Sequence, residues 1–170
     1  MNVAIHAQNL GLESAVISAI GEDELGQNLL DILQERGVNT AFITTNEHPT
    51  GTVTVDTSNP SEVRYTIDEP SAWDFISTRE VSWEQGDLLL HGSLATRNNQ
   101  SYESLKALRE KASMRVFDLN LRKPYIDQIR ILELLEGTEI VKVNEEEYAL
   151  LAKWLHFDAN PELGFEALHE

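Results

Sequence analysis

Short apolar runs that alternate with amphipathic segments constrain the fold of this chain more than any other feature. Three such runs in its second half have the length of buried strands, and each precedes apolar residues at helical spacing. Strand–helix alternation places successive strands parallel and packs the helices on the sheet, so the pattern predicts an α/β fold with a doubly wound, mostly parallel sheet. The predicted strands cover 87–91, 114–118 and 139–143, and the predicted helices cover 101–112, 126–135 and 145–155.

The first 45 residues follow the same rhythm. Apolar positions over 2–10 predict a helix that ends at Gly11, and 14–20 reads as a buried strand. A second helix is predicted over 22–36 and a second strand over 41–45. In an α/β domain a strand normally leads into the first helix, and we expect that strand to be absent from this chain.

A segment with a different period interrupts the α/β rhythm. Residues 52–55 alternate between apolar and polar, a turn is predicted over 58–61, and 63–67 alternate again. Alternation with a period of two is typical of a half-exposed strand, so the segment predicts a β-hairpin with one polar face. We therefore expect an insertion that lies outside the main layers of the domain.

Charge and composition exclude several classes of function. The 170 residues carry a formal net charge of −16, and such a surface repels phosphate backbones and anionic lipid, so neither nucleic acid nor a membrane is an expected partner. The chain has no cysteine, which excludes disulfides, thiol nucleophiles and thiolate metal sites. No stretch resembles a signal peptide or a membrane span, and we expect a cytoplasmic protein.

Polar residues gather where the predicted strands end, which is where ligands bind in an open parallel sheet. Asp118, Asn120 and Arg122 alternate after one strand, so an extended continuation would point all three side chains the same way. An arginine at this edge could hold a phosphate or a carboxylate in a bidentate fork. The alternative is a turn at the end of the strand in which Asp118 caps local amides.

Asn144 and Glu147 occupy the cap and the third position of a predicted helix. This is a capping-box arrangement, with Asn in place of the usual Ser or Thr. One interpretation is that the pair only caps the helix. The other is that the amide and the carboxylate order water around Mg²⁺, and periodicity alone does not separate the two.

The histidines do not predict a metal centre. No two of them have metal-ligand spacing, so a zinc site is not expected. His6 and His91 lie in apolar contexts typical of core histidines, whereas His156 and His169 lie near the end of the chain and are predicted to be exposed.

Taken together, these motifs resemble the PfkB carbohydrate kinase family of ribokinase- and fructokinase-type sugar kinases, and they are most similar to its fructokinase-like members. The match runs in order from residue 1 to about 155. The segments that carry it are Asn2-Val3-Ala4, Gly11, Gly21, Asp23, Gly26, Pro49-Thr50-Gly51, the segment 71–76, Phe117 to Arg122 and Lys142 to Glu147.

The resemblance implies a ribokinase-like fold and transfer of a phosphoryl group from ATP, with Mg²⁺, to a hydroxyl of fructose or a related sugar. It implies that Asn2, Asn120 and Arg122 bind the sugar substrate, and that Asn144 and Glu147 organise Mg²⁺ and phosphate. It also implies that the hairpin, over 49–70, is a lid that closes over the sugar, while 1–48 and 71–170 form the α/β domain. Closure would exclude water from the reaction.

The chain also departs from the family pattern. The paired glycines and the leading strand of the sugar-binding signature do not occur in it, and neither does the Gly-Ala-Gly-Asp loop that holds the family's general base and anion hole. We therefore expect a partial domain that is inactive by itself. A parallel sheet without its first strand exposes a central edge, so self-association, as a homodimer or otherwise, is also expected.

Two alternatives to a kinase fragment stay open from the sequence. The first is a non-catalytic module for sugar binding or dimerisation, which would use Asn2, Arg122 and the lid only for recognition. The second is an unrelated doubly wound nucleotide-binding domain. The lack of a Gly-x-Gly-x-x-Gly or P-loop segment argues against this second alternative.

Overall fold

A computed structural model of the chain describes residues 1–56, 58, 64–78, 81–82, 84 and 86–158. The chain divides into two compact units. The first unit comprises Met1–Trp83 and Asn98–Lys111, and the second comprises Glu84–Arg97 and Ala112–Glu170. No helix among the described residues combines the length and the apolar character that crossing a membrane requires.

The first unit contains a pair of parallel strands, β1 (Ser18–Gly21) and β2 (Ile43–Asn46). Two helices, α1 (Asn2–Asn9) and α2 (Glu24–Glu35), alternate with them along the chain, which confirms the predicted order of elements. Both helices supply apolar side chains to a common core with β2. This core consists of Val16, Leu33 and Val38, with Ala4, Ile5, Leu29 and Ile43 packed against it.

Two boundaries in this unit differ from the prediction. The strand predicted over 14–20 pairs continuously only from Ser18, and Ala15 forms an isolated parallel bridge with Asn39. Helix α2 begins at Glu24 rather than at residue 22, because Asp23 is its N-cap and its carboxylate accepts the Gly26 N–H at 2.8 Å. A capping carboxylate satisfies an amide that the first turn of a helix leaves without a partner.

The predicted hairpin is present as strands β3 (Val53–Asp56) and β4 (Arg64–Ile67), which pair antiparallel. The turn predicted over 58–61 lies outside the described residues, except for Ser58. Val55 lies opposite Tyr65 on one face of the hairpin, and Thr54 lies opposite Thr66 on the other. All four residues are exposed, so the face that carries Val55 and Tyr65 is an apolar surface open to solvent.

A 3-10 turn (Ala72–Phe75) follows the hairpin, and helix α3 (Asn99–Arg109) packs on it. The buried hydroxyl of Ser101 joins them: it donates to the carbonyl of Trp73 at 2.9 Å and accepts the N–H of Ile76 at 3.0 Å.

The second unit is a three-stranded parallel sheet with two helices. The strands lie in the order β5–β6–β7, which confirms the predicted parallel arrangement. Its elements are β5 (Leu88–Gly92), β6 (Met114–Asp118), α4 (Gln128–Leu135), β7 (Ile140–Lys142) and α5 (Glu145–Leu155), and a 3-10 turn (Leu94–Thr96) follows β5.

The two faces of this sheet differ in exposure. Alternate residues Leu89 and His91 of β5 and Phe117 of β6 are buried. The opposite face is exposed in the described part of the unit, and it carries Leu88, Leu90, Met114 and Ile140. The buried face is part of a packed core, and this core supports the loops that follow β6 and β7. Those loops carry most of the predicted site residues.

Candidate functional site

The segment that follows β6 forms hydrogen bonds with β7 on one side and with the residue after β5 on the other. Lys142 of β7 donates from Nζ to both carboxylate oxygens of Asp118, at 2.9 and 3.0 Å. The next residue, Leu119, is fully buried, and its N–H donates to the carbonyl of Lys142 at 3.0 Å. The hydroxyl of Ser93 donates to the carbonyl of Leu119 at 2.6 Å. These contacts hold the start of the segment in one position.

Of the two interpretations of Asp118, Asn120 and Arg122, the extended continuation is wrong. Asn120 adopts a φ of 44°, in the left-handed region, so the chain does not continue as an extended strand. Asn is one of the few residues with a Cβ that adopts this conformation readily. Asn120 and Arg122 are both exposed, and the Arg122 guanidinium donates to the carbonyl of Leu121 at 2.9 Å, whereas Asp118 pairs with Lys142.

Glu147 joins this segment to the start of α5. One oxygen of its carboxylate, Oε1, accepts the N–H of Leu121 at 2.8 Å, and Oε2 accepts the N–H of Asn144 at 3.0 Å. The side-chain oxygen of Asn144 accepts the N–H of Glu147 at 2.9 Å, which completes the predicted capping box. Glu147 is buried, so its carboxylate makes these hydrogen bonds in a site with little water. The structure therefore brings Asn120, Arg122, Asn144 and Glu147 into one neighbourhood.

The same contacts decide how a divalent cation fits here. Each oxygen of Glu147 already accepts a backbone N–H, and Asn144 uses its oxygen on the helix. Across the described residues, no three His, Asp or Glu side chains form a group that could hold a metal ion. The observed geometry of the pair is therefore that of a helix cap that also holds a loop, and each Glu147 oxygen retains a second lone pair.

Asn2, the remaining predicted sugar ligand, belongs to the first unit. It is the first residue of α1 and is exposed. Its helix packs on the core through Ala4 and Ile5.

A second polar cluster, around Asp23 and Thr50, was not predicted as a contact. The Asp23 carboxylate accepts the Thr50 N–H at 2.8 Å and the Thr50 hydroxyl at 2.7 Å, and that hydroxyl accepts the Gly21 N–H at 2.9 Å. The hydrogen bonds from the Thr50 amide, the Thr50 hydroxyl and the Gly26 amide, in that order, lower the pKa of Asp23. They tie the turn after β1 to the start of the hairpin. The sequence signals were the Gly21-x-Asp23 and Pro49-Thr50-Gly51 segments, but nothing in their spacing showed that they meet.

The histidines for which the sequence predicts burial or exposure differ in how well the structure agrees. His91 is buried and stacks on Phe117 with ring centroids 4.7 Å apart, which confirms a core position. His6 is exposed on α1, so the prediction of a core histidine there is wrong. His156 is exposed at the end of α5, as predicted, and His169 lies outside the described residues.

Solved structures to which this chain is similar include sugar kinases of the ribokinase-like class. An apo fructokinase of Vibrio cholerae superposes with a TM-score of 0.84 at 26% identity, over 98% of this chain and 60% of its own. The same enzyme with fructose, ADP and calcium bound gives a TM-score of 0.82 at 25% identity, over 99% of this chain and 57% of its own.

The sequence comparison agrees with the structural one. The pfkB family of carbohydrate kinases matches residues 1–170, and the chain belongs to that family. A fructokinase of Vibrio alginolyticus is 32% identical over 162 residues, which cover 88% of this chain and 53% of that enzyme. The chain thus spans about half the length of the curated relatives it matches.

Proposed function

We propose that this chain is the sugar-binding portion of an ATP-dependent sugar kinase that transfers a phosphoryl group to a hydroxyl of fructose or a related sugar. The observation that carries the proposal is the family match over residues 1–170, together with the likeness to a fructokinase that holds fructose and ADP. ATP would supply the phosphoryl group, and Mg²⁺ would neutralise the charge of its phosphates when bound.

Asn2, Asn120 and Arg122 are the residues that we propose for substrate binding. An exposed amide can both donate to and accept from sugar hydroxyls, and Asn120 presents its amide from a backbone held at a positive φ. The Arg122 guanidinium has five N–H donors and uses one of its nitrogens on Leu121, which leaves donors for a sugar oxygen or a phosphate.

Asn144 and Glu147 are proposed to organise phosphate and Mg²⁺ indirectly. Glu147 serves as a positioning residue, because its hydrogen bond to Leu121 fixes the backbone immediately before Arg122. Asn144 is exposed at the N-terminus of α5, where the helix dipole favours negative charge.

The hairpin, with boundaries at 49–70, is proposed as the lid, and 1–48 with 71–170 as the α/β domain. The hydrogen bonds of Thr50 to Asp23 and Gly21 would serve as the fixed end of such a lid. A lid that closes over the sugar would keep water away from ATP while the sugar hydroxyl attacks.

The experiment that tests sugar binding is calorimetric titration of the 170-residue chain with D-fructose. We expect heat of binding from the native chain, and an affinity about ten-fold or more weaker in Arg122→Ala, because hydrogen bonds to a charged group contribute about 1.5–3 kcal/mol each. Lys123→Ala is the matched control, since Lys123 is the next residue and is also exposed. If no hexose or pentose produces heat, the proposal of a sugar site is wrong.

Addition of ATP and Mg²⁺ tests whether the chain phosphorylates the sugar that it binds. Gly-x-Gly-Asp does not occur in the 170 residues, so we propose that they bind sugar without turnover when ATP and Mg²⁺ are added. ADP formation at an ordinary kinase rate, about 1–100 s⁻¹, would contradict this. The hypothesis of a non-catalytic module predicts that added ATP leaves the affinity for fructose unchanged.

We also propose that the chain self-associates through the apolar face of its hairpin, which carries Val53, Val55 and Tyr65. Exposed apolar strand surfaces are typical of interfaces between chains. A homodimer would bury this face and leave the threonine face in solvent.

A further inference from the structure

We propose that a small cavity in the second unit binds a phosphate group, either as inorganic phosphate or as part of a phosphate ester. The cavity lies between the 3-10 turn after β5 and the start of α4, and its lining includes Thr96, Arg97, Tyr125, Asp127 and Arg130. Its volume is about 140 Å³. The cavity opens to solvent beside the exposed Asp127, so an ion of the size of phosphate can enter it.

The charge of the lining favours an anion. Two of its residues, Arg97 and Arg130, carry guanidinium groups, and one, Asp127, carries a carboxylate, so the lining is net positive in a chain whose net charge is −16. Guanidinium groups present paired N–H donors whose geometry matches the oxygens of phosphate. Tyr125 adds a hydroxyl, which can donate a further hydrogen bond.

The two guanidinium groups are held in place by their own contacts. Arg97 stacks over the ring of Tyr125, with its guanidinium carbon 4.8 Å from the ring centroid. Arg130 donates from Nη1 to the carbonyl of Thr96, and its Nε lies 3.5 Å from Asp127 Oδ2. Arginines that are already ordered lose less conformational entropy when a ligand arrives. Neither arginine is among the residues to which the proposed sugar-kinase function assigns a role, and the inference does not depend on that function.

The test is calorimetric titration of the full chain with inorganic phosphate, fructose 6-phosphate and fructose. We expect both phosphate compounds to bind, and an affinity about ten-fold or more weaker in Arg97→Gln/Arg130→Gln. Arg36→Gln/Lys111→Gln is the matched control, since it removes the same charge from two exposed positions of the first unit and should leave phosphate binding unchanged. If the ester binds more tightly than inorganic phosphate and Arg97→Gln/Arg130→Gln removes that difference, a sugar phosphate is the ligand of this cavity. If the two bind equally, free phosphate is the ligand.

Arg97→Lys keeps the experiment decisive if loss of Arg130 impairs folding. It retains the charge and loses the planar fork, so we expect weaker phosphate binding in a protein whose thermal unfolding is unchanged. Fructose alone reports on the proposed sugar site, and its affinity should not respond to the Arg97 variant. The proposal is overturned if neither phosphate compound binds the native chain, or if Arg97→Lys and the double variant bind phosphate as tightly as the native chain does.

Discussion

The carboxylate of Glu147 accepts the backbone N–H of Leu121 at 2.8 Å, across 26 residues of sequence. The same side chain closes the cap of α5 through the N–H of Asn144. A single buried side chain therefore couples the start of a helix to the loop that carries Asn120 and Arg122. Because Leu121 lies between these two proposed sugar ligands, its anchor restricts the positions that both can take.

Glu147→Gln should lower the free energy of unfolding by about 2–3 kcal/mol. The amide retains one acceptor oxygen and turns an NH₂ group toward a backbone N–H, so one of the two hydrogen bonds to a charged group is lost. Urea denaturation followed by circular dichroism measures the loss. We also expect weaker fructose binding, because the loop before Arg122 loses its anchor.

Glu146→Gln is the control for this substitution. Glu146 lies in the same turn of α5 but is exposed, so its loss should cost about 0.5 kcal/mol or less through the helix dipole. Equal losses in the two variants would show that the hydrogen bonds of Glu147 to Leu121 and Asn144 contribute nothing beyond the effect of a charge near the helix N-terminus.

Substitutions at Asn120 should separate its backbone role from its side-chain role. The φ of 44° suits Gly and Asn, whereas most other residues pay about 1–2 kcal/mol in this region. Asn120→Gly should therefore keep the stability within about 0.5 kcal/mol, and Asn120→Ala should lose about 1 kcal/mol. If the amide binds sugar, both variants lose affinity for fructose in calorimetry. Equal stability of the Ala and Gly variants would argue against a left-handed backbone at this position.

Local patterns in the sequence predicted the elements of this fold well. The strand that ends at Asp118 and the helix capped by Asn144 depend on apolar periodicity and on contacts within one turn. Such features depend on residues that are neighbours in sequence, so they can be predicted from the sequence alone. The hairpin strands β3 and β4 were found for the same reason, because their alternation is local.

The geometry of the site depends on contacts that sequence spacing does not reveal. The positive φ of Asn120 lies between the buried side chain of Leu119 and the anchor that Glu147 gives to Leu121. Extending the strand past Asp118 therefore predicts the wrong directions for the side chains of Asn120 and Arg122. Likewise, Asp23 and Thr50 meet across 27 residues, and neither residue alone predicts the other.

The stability of the second unit should depend on pH through Glu139. The side-chain hydrogen bond from Arg115, followed by the bond from its backbone N–H, lowers the pKa of Glu139 from 4.5 to about 2. The folded state thus favours the ionised carboxylate, so the stabilisation is complete above pH 4.5 and is lost as the pH falls toward 2.

Glu139→Gln should therefore be less stable than the native chain at pH 6, and the difference should shrink between about pH 4.5 and 2. Urea midpoints measured across this range give the comparison. Glu13→Gln, at an exposed loop position, should follow the native curve at every pH. A difference between native and Glu139→Gln that stays constant down to pH 2 would show that the Arg115 contact does not persist in solution.

Gly26→Ala should destabilise the first unit although alanine favours helices. A Cβ at this position would lie 2.7 Å from the carbonyl oxygen of Gly21 and 2.8 Å from the Thr50 hydroxyl. Overpacking of this kind costs about 1–3 kcal/mol, which exceeds the gain of about 1 kcal/mol in helix propensity. Thermal unfolding should shift downward by several degrees, whereas Asn28→Ala, exposed on the same helix, should not lower it. A rise in the melting temperature of Gly26→Ala would contradict the close approach at Gly21.

The two faces of the hairpin allow a matched test of self-association. Val55→Lys/Tyr65→Lys places charge on the apolar face, and Thr54→Lys/Thr66→Lys places the same charge on the opposite face of the same two strands. In sedimentation experiments over a concentration series, we expect the native chain and the threonine-face variant to dimerise and the apolar-face variant to stay monomeric. Both variants reduce the net charge of −16 equally, so repulsion between copies weakens by the same amount in each. A difference in self-association between the two variants therefore measures the contribution of the apolar face. A native chain that stays monomeric at every concentration would exclude this interface.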